Sequence, residues 1–139
     1  MIKASEIKVG DSREEVVVDD LSRTQIVMYA GASGDYNPLH SDDKFTTEVA
    51  GYPSVFAHGM LSMGMTGRVV TDWVGIDALK TYGVRFSKQV FPGATLTTTV
   101  TVKSIDTSGS EPVAEFDVST KDQDGDVVVV GYATARLEA

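Results

Sequence analysis

AHGMLSMGMTGRVV, residues 57 to 70, is the stretch whose reading decides the fold. Apolar or small residues fall on every face of a helix at this spacing, and only His58 and Arg68 can carry charge. A helix that is apolar all round belongs in a core. After Trp73 the period changes from helical spacing to alternation. TYGVRFSKQVF at 81–91, GATLTTTVTVKSI at 93–105, PVAEFDVSTKD at 112–122 and DVVVVGYATARLE at 126–138 read as strands. In the second of these, Leu96, Val100 and Val102 face one way while Thr97, Thr99, Thr101 and Lys103 face the other, the pattern of a half-exposed antiparallel sheet. Asp124-Gly125 marks the turn before the last strand. The expectation is an α+β domain in which a curved antiparallel sheet wraps a long central helix.

Upstream, EEVVVDD at 14–20 reads as a short strand, and Ser22 with Gln25 forms the capping-box pattern that opens a helix running to about Ala32. SDDKFTTEVA at 41–50 predicts a further short helix, capped by Ser41 or Asp42 and stopped by Gly51 and Pro53. With 139 residues, 42% of them hydrophobic and 23% charged, the chain is expected to be one globular domain over 1–139. It has no cysteine, which excludes disulfides, thiolate nucleophiles and Cys-type zinc or iron–sulfur sites. A net charge of −8 disfavours nucleic acid and anionic membrane as partners. A local patch of Arg68, Arg85 and Lys88 can still bind an anionic small ligand. The opening MIKASEIKVGDSREE has neither the basic nor the apolar part of a secretory signal, and no apolar run reaches membrane-spanning length. A cytoplasmic protein is expected.

GASGDYNPLH at 31–40 packs Asp35, Asn37 and His40 into one loop. Glycine, asparagine and proline suit a turn for geometric reasons alone. Histidine does not, and its unperturbed pKa near neutrality makes His40 with Asp35 a candidate acid–base pair. In SVFAHGML at 54–61, Gly59 stands where the central helix begins and unpaired backbone N–H groups favour negative charge. Its N–H is a candidate oxyanion donor, the alternative being that Gly59 only lets the helix enter the core tightly. His58 reads as a structural histidine hydrogen-bonded at the helix start or as a substrate contact. No metal site is expected from His40, Asp42 and Asp43 with Asp35 or His58, because catalytic zinc sites use more histidine held on rigid elements. Met60, Met63 and Met65 are expected to pack in the core. Gly64 and Gly67 each cost a helix about 1 kcal/mol. They either make room for a ligand chain or let a strand pack closely.

Tyr29 to His40, YAGASGDYNPLH, resembles the hydratase motif of the MaoC-like (R)-specific enoyl-thioester hydratases and dehydratases. AHGML at 57–61 and VRFSKQVFPG at 84–93 match further landmarks of that family in the expected order, so the resemblance spans almost the whole chain. YAGASGD, NPLH, AHGML and the WVG at 73–75 are most similar to the catalytic B-type subunit of a 3-hydroxyacyl carrier-protein dehydratase of long-chain fatty acid elongation. The resemblance implies a hot-dog fold and reversible addition of water to a trans-2-enoyl thioester. It implies no metal or redox cofactor, with coenzyme A or carrier-protein phosphopantetheine as the substrate handle. It makes Asp35 and His40 the catalytic pair, Gly59 N–H the oxyanion donor and Asn37 a loop-stabilising partner. Asn37, Tyr36, His58 and Arg85 are the expected substrate-binding residues. A dimer is implied too, of identical chains or with a related hot-dog subunit. Ala32 replaces a larger aliphatic residue of the family pattern, Thr46 a smaller Ala or Ser, and Gly67 a serine found in many hydratases. Two rivals share this fold: a thioesterase, against which the opening motif argues, and a silent acyl-binding or partner-stabilising subunit, against which Asp35 and His40 argue.

Overall fold

A computed structural model describes residues 1–139. Its main elements are β1 (Ser12–Val18), α1 (Arg23–Ser33), α2 (Gly59–Val74), β2 (Leu79–Phe86), β3 (Leu96–Asp106), β4 (Val113–Lys121) and β5 (Val127–Arg136). The strands form one antiparallel sheet in the order β1-β3-β4-β5-β2. β1 and β2 therefore lie on opposite edges, and the chain between them carries α2 across the sheet. Alternation decides what meets the helix: Val100 and Val102 of β3, Phe116 and Val118 of β4 and Ala133 and Ala135 of β5 join Val69, Val70 and Val74 of α2 in one buried cluster. Register slips in β1, β2, β3 and β5 are the bulges that let such a sheet bend.

The second cluster positions the start of α2. Leu21, Ile26, Ala57, Val90, Leu96 and Val129 belong to it, and Ala57 N–H donates to the Val90 carbonyl at 2.8 Å. α1 enters this cluster through Ile26 and is opened by Ser22, whose hydroxyl accepts from Gln25 N–H at 3.0 Å. The reciprocal bond of a capping box is absent, since the Gln25 amide turns toward the Met65 sulfur. Of the two caps expected for the segment after the loop, Asp42 is the one used. Its carboxylate accepts from Phe45 N–H at 3.0 Å, and the turns that follow over Phe45–Val49 are π-helical, closed by Ala50 N–H to the Phe45 carbonyl.

Three expectations need correction. The strand begun at Thr81 does not run to Phe91: it ends at Phe86, and Lys88 turns away to two carboxylates of the β4–β5 hairpin. α2 is not enclosed on all sides. Ser62, Thr66, Val69, Val70 and Val74 are buried, whereas Met60 is 57% exposed and Gly64, Arg68 and Asp72 also face outward. A single sheet covers a single side of the helix, so Met60 is not core. Finally, the two helix glycines do not act as a pair. A Cβ on Gly67 would meet the Tyr82 ring at 2.8 Å, while one on Gly64 would meet nothing within 4 Å. The Tyr82 hydroxyl donates to the Met63 carbonyl at 2.8 Å, so the ring fills the space that a ligand chain would need at Gly67. The buried face of α2 is also more polar than its sequence suggests. The Thr66 hydroxyl meets that of Thr120 at 2.7 Å, and Thr120 meets Thr98 at 2.7 Å, all three fully buried.

Candidate active site

The loop after α1 is folded by its own side chains. Gly34 takes a left-handed φ of 74° and closes the helix by donating to the Ala30 carbonyl. Asp35 N–H then donates to the Ser33 hydroxyl, Asn37 N–H to Asp35 Oδ1 at 3.2 Å, and Leu39 N–H to Asn37 Oδ1 at 3.1 Å. These local bonds offer the backbone an alternative to helix, which is why short polar residues occupy these positions. They also commit one Asp35 oxygen to the loop and leave the other facing outward.

That second oxygen, Oδ2, lies 4.0 Å from His40 Nε2. His40 Nδ1 is 2.7 Å from the Phe56 carbonyl oxygen. A carbonyl only accepts, so Nδ1 carries the proton and the neutral ring presents the Nε2 lone pair to Asp35. The His40 side chain is 10% exposed and that of Asp35 54%, so the imidazole is shielded while the carboxylate reaches solvent. Phe56 N–H donates to the Leu39 carbonyl at 3.2 Å, which ties the loop to the segment leading into α2.

His58 completes the clamp. Its Nε2–H donates to the Asp35 backbone carbonyl at 3.0 Å, and its ring stacks on His40 with centroids 3.8 Å apart. Gly59 follows as the first residue of α2, and neither its N–H nor that of Met60 has an acceptor within the chain. A Cβ on Gly59 would stand 3.2 Å from the Phe86 ring, close enough that the ring, 47% exposed, would have to give by a few tenths of an ångström. Gly59 and Phe56 also line a pocket of about 320 Å³ with Ser62, Phe86, Val90 and Val129. Asp35 and His40 are not among the residues that line it; Phe56 is, and its carbonyl holds His40 at the pocket's side.

Residues 5–123 match the MaoC-like domain family. The chain belongs to this family. The MaoC-like chain is 36% identical over 93 residues, 65% of its length, to 3-hydroxyacyl-thioester dehydratase Y of Mycobacterium tuberculosis, and it spans only 32% of that protein. It is 32% identical over 138 residues to the (R)-specific enoyl-CoA hydratase of Rhodospirillum rubrum, covering 96% of this chain and 90% of that one. The unliganded R-hydratase PhaJ1 of Pseudomonas aeruginosa matches with a TM-score of 0.85 at 23% identity over 99% of this chain and 87% of its own, a likeness of fold. The fold is the hot-dog fold.

In the MaoC-like chain the other expected residues are placed as follows. Asn37 is in the loop-folding role described above. Tyr36 is 72% exposed on the same loop. Arg85 is exposed on β2 beside Gly83, Gly131 and Tyr132, outside the pocket that holds Gly59. Of the two remaining members of the basic patch, Arg68 is 3.7 Å from Asp72, and Lys88 bridges Asp122 at 2.8 Å and Asp126 at 2.6 Å. Those carboxylates raise the pKa of the Lys88 ammonium and Lys88 lowers that of Asp122. Asp35, His40 and His58 are the residues whose ligand atoms lie close enough, within 4.8 Å, to hold a metal ion. The two imidazoles are inclined by only 26°, so their in-plane lone pairs do not converge at the roughly 2 Å that zinc requires. Sequence reading missed the Phe56 carbonyl, Phe86 and Ser62. Only Ser62, in the turn after Gly59, carries a residue type that could have drawn attention.

Proposed function

We propose that the chain catalyses the reversible hydration of trans-2-enoyl thioesters to (R)-3-hydroxyacyl thioesters. The observation that carries this is the fixed tautomer of His40 facing Asp35, beside a helix whose first N–H groups are unspent. Removing water from a 3-hydroxyacyl thioester requires one group to take an α-proton and another to protonate the departing hydroxyl. His40 Nε2 takes the α-proton, and Asp35, whose free oxygen reaches solvent, delivers the proton to the hydroxyl as it leaves. In the hydration direction the two exchange roles around the incoming water. Charge that builds on the thioester oxygen is met by Gly59 N–H at the positive end of α2.

The reaction as written uses no metal or redox cofactor, and coenzyme A or carrier-bound phosphopantetheine serves as the handle of the substrate. The working unit is a dimer, of two such chains or of this chain with a related hot-dog subunit, in the cytoplasm. The test is to incubate the purified chain with trans-2-enoyl coenzyme A esters of several lengths, following loss of the conjugated enoyl absorbance and resolving the product by chiral chromatography. (R)-3-hydroxyacyl product is expected. Free thiol without hydroxyacyl product would identify a thioesterase instead, and no reaction at any length would remove the proposal.

A further inference from the structure

Ser62 is 3% exposed and lines the pocket beside Gly59, and its hydroxyl, which opens on that pocket rather than being sealed in the core, makes no hydrogen bond within the chain. Buried hydroxyls are normally satisfied. The other buried hydroxyls of this protein follow that rule: Thr46 donates to the Asp42 carbonyl at 2.7 Å, and Thr66, Thr98 and Thr120 bond one another. Thr71, also on α2, returns its hydroxyl to the helix backbone, a bond Ser62 does not make. An unspent hydroxyl on a pocket wall is a donor held for something the pocket receives.

Position narrows what that is. Ser62 is three residues after Gly59, so the two are neighbours on one helix face, about 5–6 Å apart. Side chains on a helix lean toward its N-terminus, which directs the Ser62 hydroxyl back over the turn that begins with Gly59. An acceptor oxygen at the Gly59 N–H therefore falls between two donors. We propose that Ser62 Oγ–H is the second hydrogen-bond donor to the thioester carbonyl oxygen, acting with Gly59 N–H and strengthening as negative charge develops there. This rests on the hydratase reading for its kinetic consequence. Carbonyl binding at this place does not depend on that reading.

Wild type, Ser62→Ala and Ser62→Thr are compared in two ways. In hydration of trans-2-butenoyl coenzyme A, Ser62→Ala is expected to lower kcat by about a hundredfold with little change in KM, as losing one oxyanion donor does. Ser62→Thr, which keeps the hydroxyl, restores most of the rate. In difference infrared spectra of bound butyryl coenzyme A carrying a ¹³C carbonyl, an unreactive probe, the carbonyl band in Ser62→Ala moves to higher wavenumber and that of Ser62→Thr stays near wild type. A folded Ser62→Ala protein with wild-type kcat and an unshifted band overturns the assignment. So does a loss confined to KM, which would make Ser62 part of the wall along the acyl tail. If Ala alters the melting temperature, Ser62→Cys, which fills the site and replaces the hydroxyl by a weakly donating thiol, must reproduce the direction of the band shift. Should wild type fail to hydrate any enoyl thioester, the hydratase reading falls while the infrared comparison still decides the donor. Failure of butyryl coenzyme A to bind wild type overturns the donor assignment alone.

Discussion

His40 is fixed from behind by an acceptor and left open in front, so its chemistry lies at one nitrogen. His40→Gln can still donate to the Phe56 carbonyl but offers no base at Nε2, and Asp35→Asn keeps the loop bond from Asn37 N–H while removing an acid. Each change is expected to lower hydration by about a hundred- to ten-thousandfold. Melting temperatures should remain near wild type, because neither change empties the core. Stopped-time product assays beside thermal melts check this, and near-normal turnover in either folded variant would displace the pair from its role. The pair was legible in the sequence because an acid and a histidine among turn-forming residues have few geometric reasons to be there. Gly59 was legible because it stands at a helix start. The Phe56 contribution was not, since it comes from a backbone carbonyl that every residue possesses. Ser62 was hidden for the opposite reason: in a run of glycine, threonine and methionine, a small polar side chain looks like filler.

The elements teach a different lesson, because the same composition fits either face of α2. Alternation along β3 named its buried residues, since one sheet face packs and the other does not. Along α2 the small residues left no such contrast, and only the structure separates buried Thr66 from exposed Met60. It also separates Gly64 from Gly67. Gly67→Val would press its added carbons into the Tyr82 ring, which is held in place by its bond to the Met63 carbonyl. A loss of about 1–3 kcal/mol of stability is expected, with activity falling alike on short and long enoyl thioesters. A changed long-to-short rate ratio in a stable protein would return Gly67 to the acyl groove. The β4–β5 hairpin supplies a prediction with a pH signature. Lys88 holds the Asp122 carboxyl below its ordinary value of 3.8, so this contribution is present above that range and lost as acid titrates the carboxylate. The lysine's own raised pKa makes its part fade only in strong alkali. Lys88→Met should therefore lower the melting temperature across the neutral range, with the gap from wild type beginning to close as pH falls below the ordinary carboxylate value and closing fully only at the lower pH where the Lys88-held Asp122 protonates. A gap that persists in acid would mean that Lys88 acts through packing of its stem.

For the whole molecule, β1 and β2 end the sheet, and each pairs on one side only. Val130 and Tyr132 of β5 and Phe86 of β2 stand exposed beside the β2 edge. Such edges are normally paired or protected. A dimer is expected in sedimentation at assay concentrations, and a fully active monomer would refute it. Within each chain, the three threonine hydroxyls between α2 and the sheet have a mechanical consequence. Valine on alanine and valine tolerates sliding, and an apolar seam alone would let the rod creep along its bed. The Thr66 hydroxyl does not tolerate it: a slip of one turn, about 5.4 Å, parts it from Thr120 and strands it in a dry interior at about 1–3 kcal/mol, while Thr98 and Thr120, both of the sheet, stay bonded to each other. The Thr66 bond acts as a detent. Thr66 lies seven residues along the same rod from Gly59, about 10 Å away. The proposed oxyanion position is thus indexed from the middle of the core, and the mobility of the loops around it has no lever on that distance.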